Sequence, residues 1–386
     1  MNVLTITSCY PVAHSPSDGI FVRSQCEALT SIGVDVRVFS PRPWTPPGFQ
    51  CLSNKWNAYA KTPTFYLLNG IPVHRPRYIA PPRAELWMPV HWQYVRAAKM
   101  LGAKPDIIHA HFSYPGGVAG MMLARQWNIP FVVTLHGDEV NVFAERYLRF
   151  RHALLSVVEN ADLTIAVSGA LADRTEHIVG KRPTVAPIGI NLRLFSPSVT
   201  KSDARRILGL PQDKFVILNL GRLVQEKGVS ELVKAVGPLG QSKCLTLFVG
   251  LGPLASSIRG ESGTEVIGVQ PNERVPLFLR AADVFILPSY SEGMPTVLVE
   301  AGAVGVPVIA TTVGGIPELL DKERGWLIPP KDPKALECAL KEVMSNPGEA
   351  ARRAARLQDY VKQGYDVLSC ARWLKTVYAG CLSRSN

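Results

Sequence analysis

Residues 284 to 315, VFILPSYSEGMPTVLVEAGAVGVPVIATTVGG, constrain the fold more than any other stretch. The ends, VFILP and VPVIAT, are short apolar runs of β-branched residues, the pattern of strands buried on both faces of a parallel sheet. Between them Pro288 and Ser289 break the first strand and Gly293 and Pro295 hold a turn. From Thr296, the spacing of Val297, Leu298, Ala301 and Val304 fits a short helix packed on the sheet. The stretch reads as strand, glycine-bearing loop, helix and strand.

Such a loop presents the N–H groups of Gly293, Met294, Thr296 and Val297 at the positive end of a helix, which suits a diphosphate; Pro295 has none to offer. Glu292 lies in the loop, and Glu300 lies one turn after Thr296 on the same helical face. At about 100° per residue the two glutamates fall roughly 80° out of line, so they touch different parts of one ligand. A glycosidase pair, set across one bond, is not expected.

The Glu-x7-Glu spacing from Glu292 to Glu300, with GRLVQEKG at 221 to 228, resembles the signature of retaining glycosyltransferases of family 4. The resemblance covers most of the chain and is strongest from about 215 to 330. It implies the GT-B fold, an α/β arrangement of two doubly wound Rossmann-like domains facing a central cleft. It also implies that Glu292 binds hydroxyls of the donor sugar and Glu300 the nucleotide ribose, with retention at the anomeric carbon and no need of a divalent metal.

The chain's 386 residues allow two full cores, and 19% charged against 47% apolar residues marks it as globular. Seven cysteines without a C-x-x-C spacing fit a reduced, cytosolic compartment and offer no metal site. NVLTIT near the start reads as a buried strand, with no basic region of a signal peptide before it. The longest uncharged run, 107 to 124, contains two His, a Pro and three Gly, so no transmembrane helix is expected. The net charge of +11 calls for an anionic partner. Without a nucleic-acid-binding motif, nucleic acid ranks below anionic substrates or a membrane surface.

Along residues 2 to 188, NVLTIT, DVRVFS, VHRPRYI, DIIHAH, FVVTLH, LTIAVS and TVAPI read as strands. Helical stretches fall near 20–32, 85–101, 117–127, 144–159 and 169–178, and the alternation argues a parallel sheet covered on both faces. INLRLFSPSVTKS, 190 to 202, reads as a linker. The pattern restarts with KFVILNLG, CLTLFVG, TEVIGV, VFILP, VPVIAT and GWLIP, and helices are expected near 333–344, 349–361 and 366–380. The domains are therefore drawn as 1–192, an acceptor-binding half, and 203–365, a nucleotide-sugar-binding half. By resemblance, the final helix, 366–386, packs back on the first.

In open parallel sheets ligands sit at the carboxyl ends of the strands, and the candidate residues cluster there. His136 follows FVVTLH, Arg222 follows KFVILNLG, Gly250 and Gly252 follow CLTLFVG, and Glu292 follows VFILP. Arg222 and Lys227 would neutralise a leaving diphosphate, as a planar fork and a point charge. The resemblance places His136 at the donor sugar and phosphate. His109 and His111 alternate on one strand and are read as structural or supporting residues. Gly250, Gly252 and Ala255 match a dinucleotide fingerprint, but on the second strand of their domain. They are read as lining a nucleotide pocket and not as a nicotinamide site. Gly19, after Asp18 at a helix start, could let the acceptor or the donor phosphates approach closely.

The expected activity is transfer of a sugar from a UDP- or GDP-sugar to an acceptor hydroxyl in cell-surface polysaccharide or glycolipid synthesis, with no cofactor. A GT-B epimerase and a catalytically silent nucleotide-sugar-binding protein are the alternatives. Residues 41–104 carry nine basic residues against Glu85 alone, with Trp44, Trp56, Trp87 and Trp92 among them. In the longest irregular region, this suits a surface resting on anionic lipid. The expected location is the cytoplasmic, inner face of a membrane, with a lipid-linked acceptor.

Overall fold

A computed structural model describes residues 1–51, 54–81, 88–196, 198–240 and 242–385. The chain divides into two compact units, Met1–Ile188 with Val367–Asn386, and Gly189–Asp366.

The first unit holds β1 (Asn2–Ile6), β2 (Asp35–Phe39), β3 (Arg42–Pro43), β4 (Phe65–Leu68), β5 (Ile71–His74), β6 (Arg77–Tyr78), β7 (Ile107–His111), β8 (Phe131–Leu135), β9 (Leu163–Ala166) and β10 (Thr184–Val185). Eight of them form one sheet in the order β10-β9-β8-β7-β1-β2-β5-β4, parallel except for the β4–β5 hairpin. Val3 stands opposite both Val36 and Ile107, so the strand order reverses at β1, the switch point of a doubly wound sheet. β7 and β8 are buried at every position, as strands covered on both faces must be.

Several details depart from the sequence reading. VHRPRYI is two strands, because the chain leaves the sheet at Arg75-Pro76 and β6 pairs with β3 in a separate ribbon. The described residues of 41–104 are not irregular: they carry β3 to β6 and the helices Asn54–Lys61 and His91–Ala98. The helix expected from 85 is seen from His91; residues 85 to 87 lie outside the described residues. The helix expected over 144–159 breaks at Tyr147, whose backbone is extended. The hairpin β4–β5 turns at Asn69-Gly70, both with positive φ, as a type I′ turn requires.

The second unit is a six-stranded parallel sheet of β11 (Phe215–Leu220), β12 (Cys244–Val249), β13 (Thr264–Val266), β14 (Val284–Leu287), β15 (Val308–Thr311) and β16 (Trp326–Ile328), ordered β13-β12-β11-β14-β15-β16. The expected linker ends earlier than 202, because Thr200 caps a helix, Lys201–Leu208, by accepting from Asp203 N. That helix is pinned by buried Arg205, which donates to the carbonyls of Ala281, Gln212 and Lys214 and to Asp283. Helix Thr296–Val304 packs closely on helix Pro347–Gly364 because Gly302 has no side chain: a Cβ there would lie 2.8 Å from Val361 Cγ2.

The last helix, Val367–Ser385, is part of the first unit's core. Val367, Ala371, Leu374, Tyr378 and Cys381 pack with Val3, Val22 and Leu29, and Tyr378 hydroxyl lies 2.6 Å from His109 Nδ1. All seven cysteines are free thiols.

Candidate functional site

In the second unit, three loops at the carboxyl ends of the strands lock together around residues 288–295. From β11, the loop 221–228 ends at Gly228, which adopts φ +65° and sits so close to β14's exit that a Cβ would meet Pro288 O at 1.9 Å. Tyr290 N then donates to Glu226 O at 2.9 Å. From β15, Gly314, at φ +53°, lies against Glu292 O in the same way, and Gly315 N donates to Gly293 O at 2.8 Å. A side chain at either glycine would push the loop off its seat.

Within this frame Lys227 Nζ is 2.5 Å from Glu292 Oε1, and both side chains are largely withdrawn from water. Arg222 stands exposed in the same loop as Lys227. Gly293 and Met294 are buried, while Thr296 and Val297 are half-buried at the helix start. As at every helix start, the amides of Thr296 and Val297 have no helical carbonyl a turn behind them; Leu298 N turns back to Pro295 O at 3.0 Å. Glu300 is 6% exposed, and burial pushes its carboxyl up to about 7. It is not a surface helix residue.

The glycines that match a dinucleotide fingerprint have a packing reason. A Cβ on Gly250 would fall 1.9 Å from Gly221 O and one on Gly252 2.2 Å from Leu223 O, so both let the loops after β11 and β12 lie back to back. Gly19 is similar. It opens the helix Ile20–Ser31 with Cys9 O where a side chain would be, so the close approach there is by the chain's own backbone. A cavity of about 360 Å³ in this unit, lined by Phe215, Asp283 and Pro307, lies at the amino ends of the strands, away from these loops.

In the first unit His136 leaves β8 between two aromatic rings, Phe21 and Phe112, at centroid distances of 4.8 and 4.6 Å. Its Nε2 is 2.9 Å from His111 Nδ1. Burial and the neighbouring His109 push His136 down to about 3, so its ring is neutral at any ordinary pH. Buried Glu139 holds the turn by accepting from His136 N at 2.8 Å and Gly137 N at 3.0 Å. Sequence reasoning passed over Glu139; its place three residues after a strand-ending His was the available signal. His109 is tied at both nitrogens, to Tyr378 and to Thr134 Oγ1 at 2.8 Å, which is a structural role.

The basic stretch is a correction. Arg42 and Arg75 are 1% and 6% exposed, because the chain turns inward at β3 and after β5, and neither can face a membrane. Arg83 and Trp87, and the side chain of Lys55, lie outside the described residues.

A family model for Glycosyltransferase Family 4 matches residues 19–194, and one for Glycosyl transferases group 1 matches residues 200–363. TuaC of Bacillus subtilis (strain 168), assigned to teichuronic acid biosynthesis as a glycosyltransferase, is 39% identical over 345 residues, 88% of each chain. The D-inositol 3-phosphate glycosyltransferase of Xylanimonas cellulosilytica is 32% identical over 72% of this chain and 73% of its own. Sucrose-phosphate synthase from Thermosynechococcus elongatus superposes at TM-score 0.83 over 100% of both chains, with 24% identity. Anabaena HepE, solved in complex with UDP-glucose, superposes at 0.74 over 98% of this chain and 100% of its own, with 20% identity. Two Rossmann-like domains with these likenesses define the class, the GT-B glycosyltransferase fold. The chain belongs to the family 4 glycosyltransferases, and its second unit to their group 1 domain.

Proposed function

We propose that the chain is a retaining glycosyltransferase that moves a sugar from a nucleoside diphosphate sugar to an acceptor hydroxyl in cell-surface polysaccharide synthesis. The observation that carries this reading is the Lys227–Glu292 pair, set in a loop that enters the helix Thr296–Val304. Lys227 and Arg222 neutralise the departing diphosphate, and the amides of Thr296 and Val297 add the positive end of the helix. Glu292 accepts from donor-sugar hydroxyls, and Glu300, three residues into the helix beyond Val297, from the ribose. His136 offers the donor sugar a neutral imidazole. In the step itself the acceptor oxygen bonds to the anomeric carbon on the face the diphosphate leaves. The carbon–oxygen bond to phosphate breaks, and a phosphate oxygen takes the acceptor's proton. Two cations stand where a metal would otherwise hold the leaving charge, so the reaction runs without one.

UDP is the nucleotide in the HepE complexes of the same fold, and the likeness to TuaC, named for teichuronic acid biosynthesis, supports polysaccharide synthesis as the pathway. GDP-sugars remain in the test panel. A peripheral place on an anionic, cytoplasmic membrane face, with a lipid-linked acceptor, is supported by one part of the basic stretch 41–104. Trp92, Arg96 and Lys99 are exposed within one arc of the helix His91–Ala98 and its continuation, beside Ile79, which is 62% exposed. Ile79 is tied to that helix through both backbone groups by Gln93. No helix among the described residues is long and apolar enough to cross a membrane.

The test is mass spectrometry of the chain incubated with UDP- and GDP-sugars and a lipid extract. A product heavier by one sugar, retaining the donor's anomeric configuration, is expected. Nucleotide binding without product or hydrolysis would leave a silent sugar-nucleotide binder, and interconversion of the donor alone an epimerase.

A further inference from the structure

The first unit holds a cavity of about 590 Å³ where the chain leaves β1, β2, β5, β7 and β8. It lies wholly at the carboxyl edge of that sheet, around the switch point. Its wall is aromatic: five tyrosines and two phenylalanines line it. Three arginines join them, Arg42, Arg75 and Arg146, against a single carboxylate, Asp18.

Two of those arginines are buried and only partly used. Arg42 gives Nη2 to Thr62 O, and Arg75 gives Nη1 to Tyr10 O at 2.8 Å. Among the described residues, Nε and Nη1 of Arg42 and Nε of Arg75 have no hydrogen-bond partner. Among the described residues no ion pair reaches either guanidinium, and Arg75 and Arg77 crowd Arg42 closely enough to help lower its pKa to about 10, behind the larger effect of burial. Buried cations with idle N–H groups, and only Asp18 near Arg75 to offset them, are among the costlier arrangements a protein can hold. A core that merely needed filling would be cheaper with apolar side chains in these places.

We propose that this cavity binds the acceptor through an oxyanion that the acceptor sugar carries, a carboxylate or a phosphate monoester. The idle N–H groups of Arg42 and Arg75 supply the planar, forked donors such a group accepts from, and exposed Arg146 adds charge beside them. The tyrosine and phenylalanine rings give the sugar's apolar faces a surface, the usual make-up of a small-molecule pocket with few fixed polar groups. This rests on the transferase reading and names its acceptor class, an acidic sugar.

Binding is measured on the full chain by calorimetry with D-glucuronate, glucose 1-phosphate and glucose, and separately with UDP. Glucuronate or glucose 1-phosphate should bind at least tenfold more tightly than glucose, and which of the two does so names the oxyanion. Arg75→Gln should weaken the acid at least tenfold and leave UDP affinity as in the parent. Arg146→Gln, on an exposed side chain that the core does not need, should weaken it severalfold even if Arg75→Gln fails to fold. Equal binding of glucose and both acids, or acid binding that survives Arg146→Gln and a folded Arg75→Gln, overturns the proposal. Turnover of a UDP-sugar without acid binding overturns the oxyanion site alone. Acid binding without any UDP-sugar binding or turnover overturns the transferase reading and leaves the site.

Discussion

Lys227 Nζ and Glu292 Oε1 are 2.5 Å apart, so the two residues assigned to opposite ends of the donor, phosphate and sugar, are bonded to each other. Each holds the other's charge in a half-buried loop, and a donor must take both partners over. Removing one alone takes from the other the partner nearest its charge. Lys227→Ala and Glu292→Gln should each cost transfer about 2 to 4 kcal/mol of transition-state stabilisation. The double variant should lose clearly less than the sum, by about 1 kcal/mol or more. Additive losses in kcat/KM would mean that the pair has no shared role.

Arg222 is exposed and free to turn toward a ligand, so Arg222→Ala should reduce turnover on the same scale, about 2 to 4 kcal/mol, without lowering the melting temperature. Chelation should change little in the parent chain. A rate that collapses in EDTA and returns with magnesium would sink the metal-free mechanism.

Glu300 carries a pH signature. Its folded carboxyl lies at about 7, raised by burial from an ordinary 4.5. Raised values favour the protonated fold, so this contribution to stability is complete below about 4.5 and is lost as pH climbs through about 7. Ribose hydroxyls donate best to the ionised carboxylate, so UDP binding should release a proton and tighten between pH 6 and 8, by at most about tenfold per pH unit. Glu300→Gln should flatten that slope and weaken UDP; Glu292→Gln should keep it. Glu139 is also pushed up to about 7 by burial and acts on stability in the same direction, so the UDP titration is the discriminating measurement. Equal slopes in parent and Glu300→Gln would remove Glu300 from the nucleotide site.

The chain should sediment with vesicles containing anionic lipid, less so as salt rises. Neutralising Arg77, Arg96 and Lys99 together, with Trp92→Ala, should abolish sedimentation at low salt, whereas buried Arg42 and Arg75 should not matter to it. Unchanged sedimentation in the fourfold variant would place the contact elsewhere on the chain.

Strands such as VFILP and FVVTLH were legible because β-branched runs between turn residues have few other uses, and the helix after Thr296 because its apolar spacing is helical. Other features needed three dimensions. Charge counting put Arg42 and Arg75 on a surface, since composition cannot tell where a chain turns inward, and their burial follows from the ribbon β3–β6. The helix Lys201–Leu208, which starts at the end of the expected linker, went unread, because a buried arginine such as Arg205, satisfied by three carbonyls and Asp283, has the same letter as a solvated one. Gly250 and Gly252 matched a pattern for a reason of their own, contact with the loop after β11. The Asn69-Gly70 turn, by contrast, was readable and was missed.

The helix Val367–Ser385 sets an order of events during synthesis. The first unit is emitted from the ribosome long before the residues that fill its core, and until Tyr378 arrives His109 Nδ1 and the faces of Val3, Val22 and Leu29 have no cover. The second unit, contiguous from Gly189 to Asp366, has all its strands in hand earlier than that. The half made first is therefore the half finished last.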